Sequence, residues 1–352
     1  MKATQIQVGD VVIDEVELKE VTEEEIVAFN TFSNLMRAEA NPEDPPRPVE
    51  LTRAYIRNIP EFISVREFVA RDAAGTMVAT AEVSVSRTDD NKHIVEAGVS
   101  VHPDMRRRGI AKALLGLIAG VAQEEGRTLL LGGTSERVPA GEAFARRINA
   151  DLGSSTHTNR LMLSDLDTAS MRTWIEEGPS RAQGYSLITI DGPYPDDMLD
   201  AMVEVNKIMN DAPRDDIDME DWVITAEHVR SWEKTMLATG DERWSLVARH
   251  DATGELVGFT EMLWNSKVPK VAYQMGTGVR PDHRGHALGK WLKAVMLQRL
   301  LDERHEVDQV RTGNADSNDA MLGINKQLGF KPFQAHSIWQ VSLDKVLAYL
   351  SS

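Results

Sequence analysis

Two basic turns occupy corresponding places in the sequence, and both have the composition of a phosphate-binding loop. They are Arg106-Arg107-Arg108-Gly109-Ile110-Ala111 and Arg284-Gly285-His286-Ala287-Leu288-Gly289. Each turn follows an apolar, strand-like stretch and precedes an amphipathic helical pattern, so its main-chain N–H groups should lie at a helix N-terminus. Such a terminus attracts phosphate oxygens, and small residues let the ligand approach the backbone. We therefore predict that both turns bind a phosphorylated ligand.

The two turns belong to a longer internal repeat. VSVHPDMRRRGIAKALL (99–115) aligns with TGVRPDHRGHALGKWLK (277–293), and REFVARDAAGTMVATAEVSV (66–85) aligns with WSLVARHDATGELVGFTEML (244–263). The second pair has the alternation and the central glycine turn of a β-hairpin. The chain is thus expected to contain one fold twice, and its other signals should be compared in pairs.

The order of predicted elements in each half is β-α-α-β-β-β-α-β-α-β. Thr22 and Thr225 are expected to cap helices, because each stands directly before a stretch with helical apolar spacing. This order predicts an α/β (α+β) fold with two domains, 1–178 and 179–352, each a mixed central sheet flanked by helices. The linker is expected within EEGPSRAQG (176–184), which is rich in glycine, proline and polar residues.

The composition excludes several function classes. The chain of 352 residues has no cysteine and a formal net charge of −16. A disulfide, a thiol nucleophile and a cysteine-bound metal are therefore ruled out, and no metal is expected from the histidine spacing. The acidic charge argues against nucleic acid as a partner, and no apolar run predicts a membrane span. The N-terminus lacks the pattern of a signal peptide, so we expect a cytoplasmic protein.

The first turn resembles the pyrophosphate loop of the GCN5-related N-acetyltransferase (GNAT) superfamily, whose pattern is Arg/Gln-x-x-Gly-x-Gly/Ala. The resemblance implies tandem GNAT domains that use acetyl-CoA as acyl donor and no metal. It also implies that the loops and the preceding strands hold this cofactor. The implied cofactor residues there are Val99, Val101, Arg106, Arg107, Arg108, Gly109, Ile110, Ala111, Val279, Arg284, Gly285, His286, Ala287, Leu288 and Gly289. Ala287 stands at the first glycine position, where its methyl fits if the local φ is negative.

The second half carries a further GNAT-like pattern, NADSNDAMLGINKQLGF (314–330). The resemblance adds Asn314 and Asn318 to the implied cofactor residues. Asn325 occupies the position at which many members of the family have a tyrosine that protonates the departing CoA thiolate, and an amide cannot serve as that acid. The corresponding segment of the first half, GEAFARRINADLG (141–153), resembles this pattern only weakly. We therefore expect the second half to be catalytic and the first to bind acetyl-CoA structurally.

Transfer of an acyl group to an amine needs a proton acceptor and donors for the developing oxyanion. Glu261 and Glu82 correspond in the repeat and are the leading candidates for the base. Glu96 is an alternative in the first half, where the second half has Gln274. Each of these glutamates could equally face outward from its strand without a catalytic role. Gly98, Gly276 and Gly278 lie on the strands before the loops and suit a β-bulge that splays the sheet.

The expected activity is acetylation of a primary amine on a small molecule. The acidic segment 211–221 would attract a cationic amine, although most such segments are solvated loops. Two alternatives stay open: a non-catalytic protein that binds or senses acyl-CoA, and a protein-lysine acetyltransferase. We expect either a monomer with pseudo-twofold halves or a homodimer.

Overall fold

The computed structural model describes residues 5–352, which fall into two units that are each discontinuous in sequence. The first unit runs through Ser155 and also contains Asp216–Asp221 and His336–Ser352. The second unit consists of Thr156–Asp215 and Trp222–Ala335. The domain bounds expected from the repeat, 1–178 and 179–352, describe the two copies of the duplicated sequence and stay a prediction. The α/β fold and the tandem arrangement are both present.

Each repeat contains the predicted order β-α-α-β-β-β-α-β-α-β and ends with an additional helix, and the first repeat also has a second strand at its start. The first repeat forms β1 (Ile6–Val8), β2 (Val11–Val16), α1 (Glu23–Ala40), α2 (Val49–Arg57), β3 (Ile63–Arg71), β4 (Met77–Ser86), β5 (Ile94–Val101), α3 (Ile110–Glu124), β6 (Leu129–Ser135), α4 (Pro139–Arg147), β7 (Asp151–Met162) and α5 (Thr168–Arg181). The predicted cap of α1 is confirmed, because the Thr22 hydroxyl accepts a hydrogen bond from the Glu25 N–H at 3.3 Å.

The second repeat follows the same order, except that one strand and not two precedes its first helix. It forms β8 (Tyr185–Asp191), α6 (Leu199–Asn206), α7 (Ala226–Thr239), β9 (Asp241–His250), β10 (Leu256–Asn265), β11 (Val271–Val279), α8 (Leu288–Glu303), β12 (Gln309–Ala315), α9 (Asp319–Leu328), β13 (Lys331–Ser342) and α10 (Leu343–Ser351). The Thr225 hydroxyl caps α7 by accepting from the His228 N–H at 3.2 Å, as predicted.

The last strand of each repeat completes the sheet of the unit that is built mainly from the other repeat. In the first unit the strand order is β1-β2-β3-β4-β5-β6-β13, and His336–Ser342 pair antiparallel with Leu129–Ser135. In the second unit the order is β8-β9-β10-β11-β12-β7, and Thr156–Met162 pair antiparallel with Gln309–Ala315. Each sheet therefore depends on a strand that is distant in sequence.

The central parallel pair of each sheet is hydrogen-bonded at only one end. In the first unit, β5 pairs with β6 through Ile94–Glu96 and Leu129–Leu131. In the second unit, β11 pairs with β12 through Val271–Tyr273 and Gln309–Arg311. Beyond these residues the two strands of each pair separate, which opens a gap at their C-terminal ends.

The helix that follows each basic turn packs its apolar face on its own sheet. In the first unit, Leu114 and Ile118 of α3 are fully buried in a core that includes Val83 and Val95. In the second unit, Leu292 and Leu297 of α8 are buried with Met262. This burial fixes the N-terminus of each helix beside the gap between the parallel strands.

The expected linker is largely helical. Residues 176–181 belong to α5, although glycine and proline in EEGPSRAQG predicted a loop. Tertiary packing overrides this local signal, because α5 lies against α8 and a Cβ at Gly178 would meet the Trp291 ring at 2.4 Å. No helix within residues 5–352 is long and apolar enough to cross a bilayer.

Candidate functional site

A cleft of about 1010 Å³ opens in the second unit where β11 and β12 separate. Its walls are the end of β11, the basic turn, the first turn of α8, the end of β12 and the first turns of α9. The corresponding lining residues include Gln274–Val279, His283–Gly285, Ala287–Lys290, Thr312–Ala315 and Ser317–Met321. One ligand could therefore contact the turn at one end and the strand gap along its length.

The basic turn of the second unit presents main-chain N–H groups to this cleft. Gly285 has φ +90° and Ala287 has φ +58°, and Ala287 is the N-cap residue of α8. Among the described residues, no hydrogen-bond acceptor pairs with the N–H groups from Gly285 to Gly289. The condition under which the Ala287 methyl was expected to fit, a negative φ, is not met, because the turn requires a left-handed residue there. For alanine that conformation costs about 1–2 kcal/mol.

The first unit has the same turn with its glycine placed differently. Arg107 has φ +65° and Gly109 has φ +87°, so the two left-handed positions coincide with Gly285 and Ala287. Gly109 is the N-cap of α3, and no acceptor among the described residues pairs with the N–H groups from Arg107 to Ala111. Both turns thus combine free N–H groups with a helix N-terminus, which is an anion-binding arrangement.

The first arginine of each turn shapes the turn. The Arg106 guanidinium donates to the Val101 carbonyl at 3.0 Å and to the Glu39 carboxylate at 2.7 Å. The Arg284 guanidinium likewise donates to the Val279 carbonyl at 3.0 Å and to Asp211 at 3.1 Å. These side chains therefore tie the turn to the preceding strand and to the helical segment before the sheet. That Arg106 and Arg284 also bind a phosphate stays a prediction.

The other residues of the two turns differ in how much of their surface is exposed to solvent. Arg107, Arg108, Gly109, Gly285 and His286 are exposed. Ile110 and Leu288 are buried and anchor the helices to the cores. His283 lies beside the turn with its Nδ1 2.9 Å from the Tyr185 hydroxyl. Within residues 5–352, no three histidine or acidic side chains are grouped in a way that could hold a metal ion.

The asparagines of the second motif are held by the protein itself. The Asn318 side chain caps α9 by accepting from the Met321 N–H at 3.2 Å. Asn314 Oδ1 accepts from Asn325 Nδ2 at 2.9 Å, while Asn325 Oδ1 is buried and has no hydrogen-bond partner among residues 5–352. An N-cap role for Asn318 was readable from its position before a helical pattern. Asn314 and Asn318 both line the cleft.

Glu261 lies behind the cleft in a hydrogen-bonded network. Its Oε1 accepts from the Tyr194 hydroxyl at 2.5 Å and from the Ser245 hydroxyl at 2.6 Å, and Arg243 Nε lies 3.8 Å away. Burial, and then the Glu261 charge, raise the pKa of Tyr194 far above its ordinary value. Glu261 does not line the cleft, and Tyr194, which is 67 positions away, was not recognisable from the sequence as its partner.

A β-bulge in β11 lies opposite Glu261. Thr260 pairs with Thr277 and Met262 with Gln274, so Met275 and Gly276 are inserted between regular pairs. Met275 and Gly276 line the cleft, and they are the residues of β11 that lie opposite Glu261 of β10.

The three strand glycines differ in their roles. A Cβ at Gly278 would meet Ile208 at 2.6 Å, and one at Gly276 would meet Phe259 at 3.1 Å, so both glycines also make room for neighbouring side chains. The bulge includes Gly276 alone of the three. Gly278 pairs regularly with Phe259, and Gly98 pairs with Glu82 in a continuous β4–β5 register, so the bulge expected at these two glycines is wrong.

The first unit holds a group of three glutamates on adjacent strands. Glu67 is directly opposite Glu82 in the β3–β4 pair, and Glu96 is opposite Ser84 in the β4–β5 pair. Burial, and then the charge of Glu82, raise the pKa of Glu67 well above its ordinary value. Burial also raises the pKa of Glu82, to which Glu96 adds. Glu67 was not identified from the sequence, although the hairpin register places it beside Glu82.

Replacing Glu67 by glutamine is expected to stabilise the protein at alkaline pH. The raised pKa means that the folded state binds the Glu67 proton more tightly than the unfolded state, so wild-type stability falls as pH rises above the unfolded pKa. Glu67→Gln should therefore increase the free energy of unfolding by about 1–3 kcal/mol at pH 8, and by less at pH 5. Urea unfolding at both pH values measures this difference. Glu50→Gln, at an exposed position, is the control, and an equal gain at both pH values would contradict the expectation.

Comparisons with known proteins agree with this geometry. The model of the acetyltransferase (GNAT) family matches residues 29–147 and again residues 206–330. A solved tandem GNAT protein from the clavulanic acid biosynthesis pathway, determined without acetyl-CoA, is 25% identical, with a TM-score of 0.77 over 95% of this chain and 98% of that one. A GCN5-related N-acetyltransferase from Sphaerobacter thermophilus is 12% identical, with a TM-score of 0.65 over 95% and 96% of the two chains. No curated protein sequence matches the chain significantly.

Proposed function

Because the chain belongs to the GNAT acetyltransferase family and carries its domain twice, we propose that it transfers an acetyl group from acetyl-CoA to a primary amine of a small molecule. The observation that carries this proposal is the cleft between β11 and β12, which begins at an anion-binding turn and ends at a bulge. The family uses acyl-CoA donors, so a nucleotide at one end and a thioester at the other is the expected occupant.

The cofactor would follow the length of this cleft. Its pyrophosphate would bind the free N–H groups of the turn and the N-terminus of α8. The pantetheine arm would occupy the gap between Gln274–Val279 and Thr312–Ala315. The thioester carbonyl would then lie near the bulge, where Met275 and Gly276 have no regular partner on β10 and their N–H groups can stabilise an oxyanion.

The acceptor amine must lose a proton before it attacks the thioester carbon. Glu261 could take this proton through the Tyr194 or Ser245 hydroxyl, since both donate to its Oε1. In the first unit, Glu82 and Glu96 could act directly, since the raised pKa of Glu82 makes it a stronger base than an ordinary carboxylate. The new C–N bond replaces the C–S bond, and the proton lost by the amine nitrogen ends on the CoA sulfur, which leaves as free CoA thiol.

One observation favours an acyl-CoA binding protein that does not catalyse transfer. The Glu261 carboxylate is held by the Tyr194 and Ser245 hydroxyls and does not line the cleft, so it has no direct contact with an amine bound there. Asn325 also supplies no acid at the position where a tyrosine is common in the family. The second unit would in that case hold acyl-CoA without transferring its acyl group.

Turnover of acetyl-CoA with a panel of small primary amines tests the proposal, with release of free CoA thiol as the signal. If the second unit is catalytic, Glu261→Gln should lower kcat by about 100-fold and leave the acetyl-CoA KM within a factor of about three. If the first unit is catalytic, Glu82→Gln or Glu96→Gln should instead cause this loss of kcat. Acetyl-CoA binding without turnover of any amine would support the binding protein and overturn the enzyme.

A further inference from the structure

Lys293 is a fully buried amine in the wall of the acyl-CoA cleft. It lies on α8, its side chain is 1% exposed, and it lines the cleft together with Met321. Its Nζ lies 3.8 Å from the Met321 sulfur and 5.5 Å from the centre of the Phe330 ring. No carboxylate within the described residues lies within 4.0 Å of this amine. Lysine is almost never buried without a partner, so this position needs an explanation.

The repeat shows that packing does not require a lysine there. Lys293 aligns with Leu115, which is 3% exposed in the core of the first unit. The same helix position in the same fold is therefore satisfied by an apolar side chain of similar length. Burial lowers the pKa of Lys293 to about 7, so its neutral and charged forms are close in free energy at neutral pH.

The other charged groups around the cleft are engaged elsewhere. Asp211 pairs with Arg284 at 3.1 Å, Lys290 donates to Gln327 at 2.8 Å, and His283 contacts Tyr185. Arg181 pairs with Glu177 at 2.7 Å, and Asp319 is exposed in the first turn of α9. None of these groups pairs with Lys293, so no carboxylate among the described residues stabilises its charged form when the cleft is empty.

We propose that Lys293 recognises the acyl donor by taking up a proton when the donor occupies the cleft, and that the resulting ammonium donates hydrogen bonds to acceptor oxygens of the pantetheine arm. An acyl-CoA brings amide carbonyl groups into the strand gap and negative phosphates to the turn. Both favour the charged form of a nearby amine. The empty cleft favours the neutral form, so binding and protonation are coupled. This inference rests on the proposed function.

The test is calorimetric titration of acetyl-CoA between pH 6.5 and pH 8.5, in buffers with different ionisation enthalpies. Ala111→Asp is used as the background, so that the second unit is observed alone. The Ala111→Asp protein should take up close to one proton per bound acetyl-CoA near pH 8. Its affinity for acetyl-CoA should fall by up to about 10-fold per pH unit above pH 7. Lys293→Leu and Lys293→Met should bind about 10- to 100-fold more weakly at pH 7, without this uptake.

Thermal unfolding without ligand separates recognition from a structural role. Lys293→Leu, which copies the first repeat, should melt about 2–6 °C higher because a buried amine is removed. Equal affinity and equal proton uptake in Lys293→Leu would overturn the inference, as would a lower melting temperature together with unchanged binding. An increase in intact mass from acetylation of Lys293 would also overturn it, since the amine would then be an acyl acceptor. A failure of the background protein to bind acetyl-CoA would instead count against the proposed function.

Discussion

Gly289→Asp is expected to weaken acetyl-CoA binding in the second unit by about 100-fold, or about 2.7 kcal/mol. Gly289 lies in the first turn of α8 and lines the cleft where the phosphates would bind. A Cβ there would meet only the Ile324 Cδ1 at an ordinary distance of 3.6 Å, so the fold accommodates a side chain. A carboxylate in the first helical turn is favourable without ligand but repels a phosphate. Calorimetric titration measures the loss.

The repeat supplies the matched control for this experiment. Ala111 occupies the position of Gly289 in the first unit, so Gly289→Ala should bind acetyl-CoA within a factor of about three of wild type. Ala111→Asp should remove binding by the first unit alone, and the two aspartate variants together should remove all binding. Unchanged affinity and stoichiometry in both aspartate variants would show that acetyl-CoA does not bind at these turns.

Gly329→Ala is expected to lower the free energy of unfolding by about 3 kcal/mol or more. Gly329 ends α9 with φ +102°, a backbone conformation that strains an L-residue. A Cβ would also lie 2.6 Å from the Asp165 main-chain oxygen and 3.3 Å from Leu161. Because the carbonyl belongs to the backbone, it cannot move aside as a side chain would. Urea unfolding with an unchanged m-value measures the effect.

Gly285→Ala is the control that separates the cost of a positive φ from the cost of the contact with Asp165. Gly285 has a similarly positive φ of +90°, but a Cβ there meets nothing within 4 Å. We expect it to lose only about 1–2 kcal/mol, the cost of the left-handed backbone alone. If both variants lose the same amount, the contact with Asp165 contributes nothing and the expectation for Gly329 is wrong.

Local sequence signals predicted the parts of the site that are built from neighbouring residues. Each turn and its helix form one continuous segment, so the composition of 106–111 and 284–289 was enough to identify them. Thr22 and Thr225 were recognisable as caps because capping acts over a single helical turn. The repeat then fixed the order of elements in both halves.

The features that the sequence did not predict depend on contacts between distant residues. The partners of Glu261 include Tyr194 and Arg243, which come from a loop and a neighbouring strand. The positive φ of Ala287 follows from the shape of the turn, although alanine ordinarily has a negative φ. Strand alternation shows which face of β7 or β13 is buried but does not identify its neighbour, so the strand exchange was not visible.

That exchange sets the order in which the chain can fold during its synthesis. The sheet of the first unit needs His336–Ser342 as its last strand, and these residues leave the ribosome after almost all of the chain has been made. The first unit therefore cannot be completed before the second repeat has been translated. Until then, the edge of β6 has no partner, and another strand could pair with it in a nascent or truncated chain. The second unit needs Thr156–Met162, which are already synthesised when its own strands emerge, so the delay affects the first unit alone.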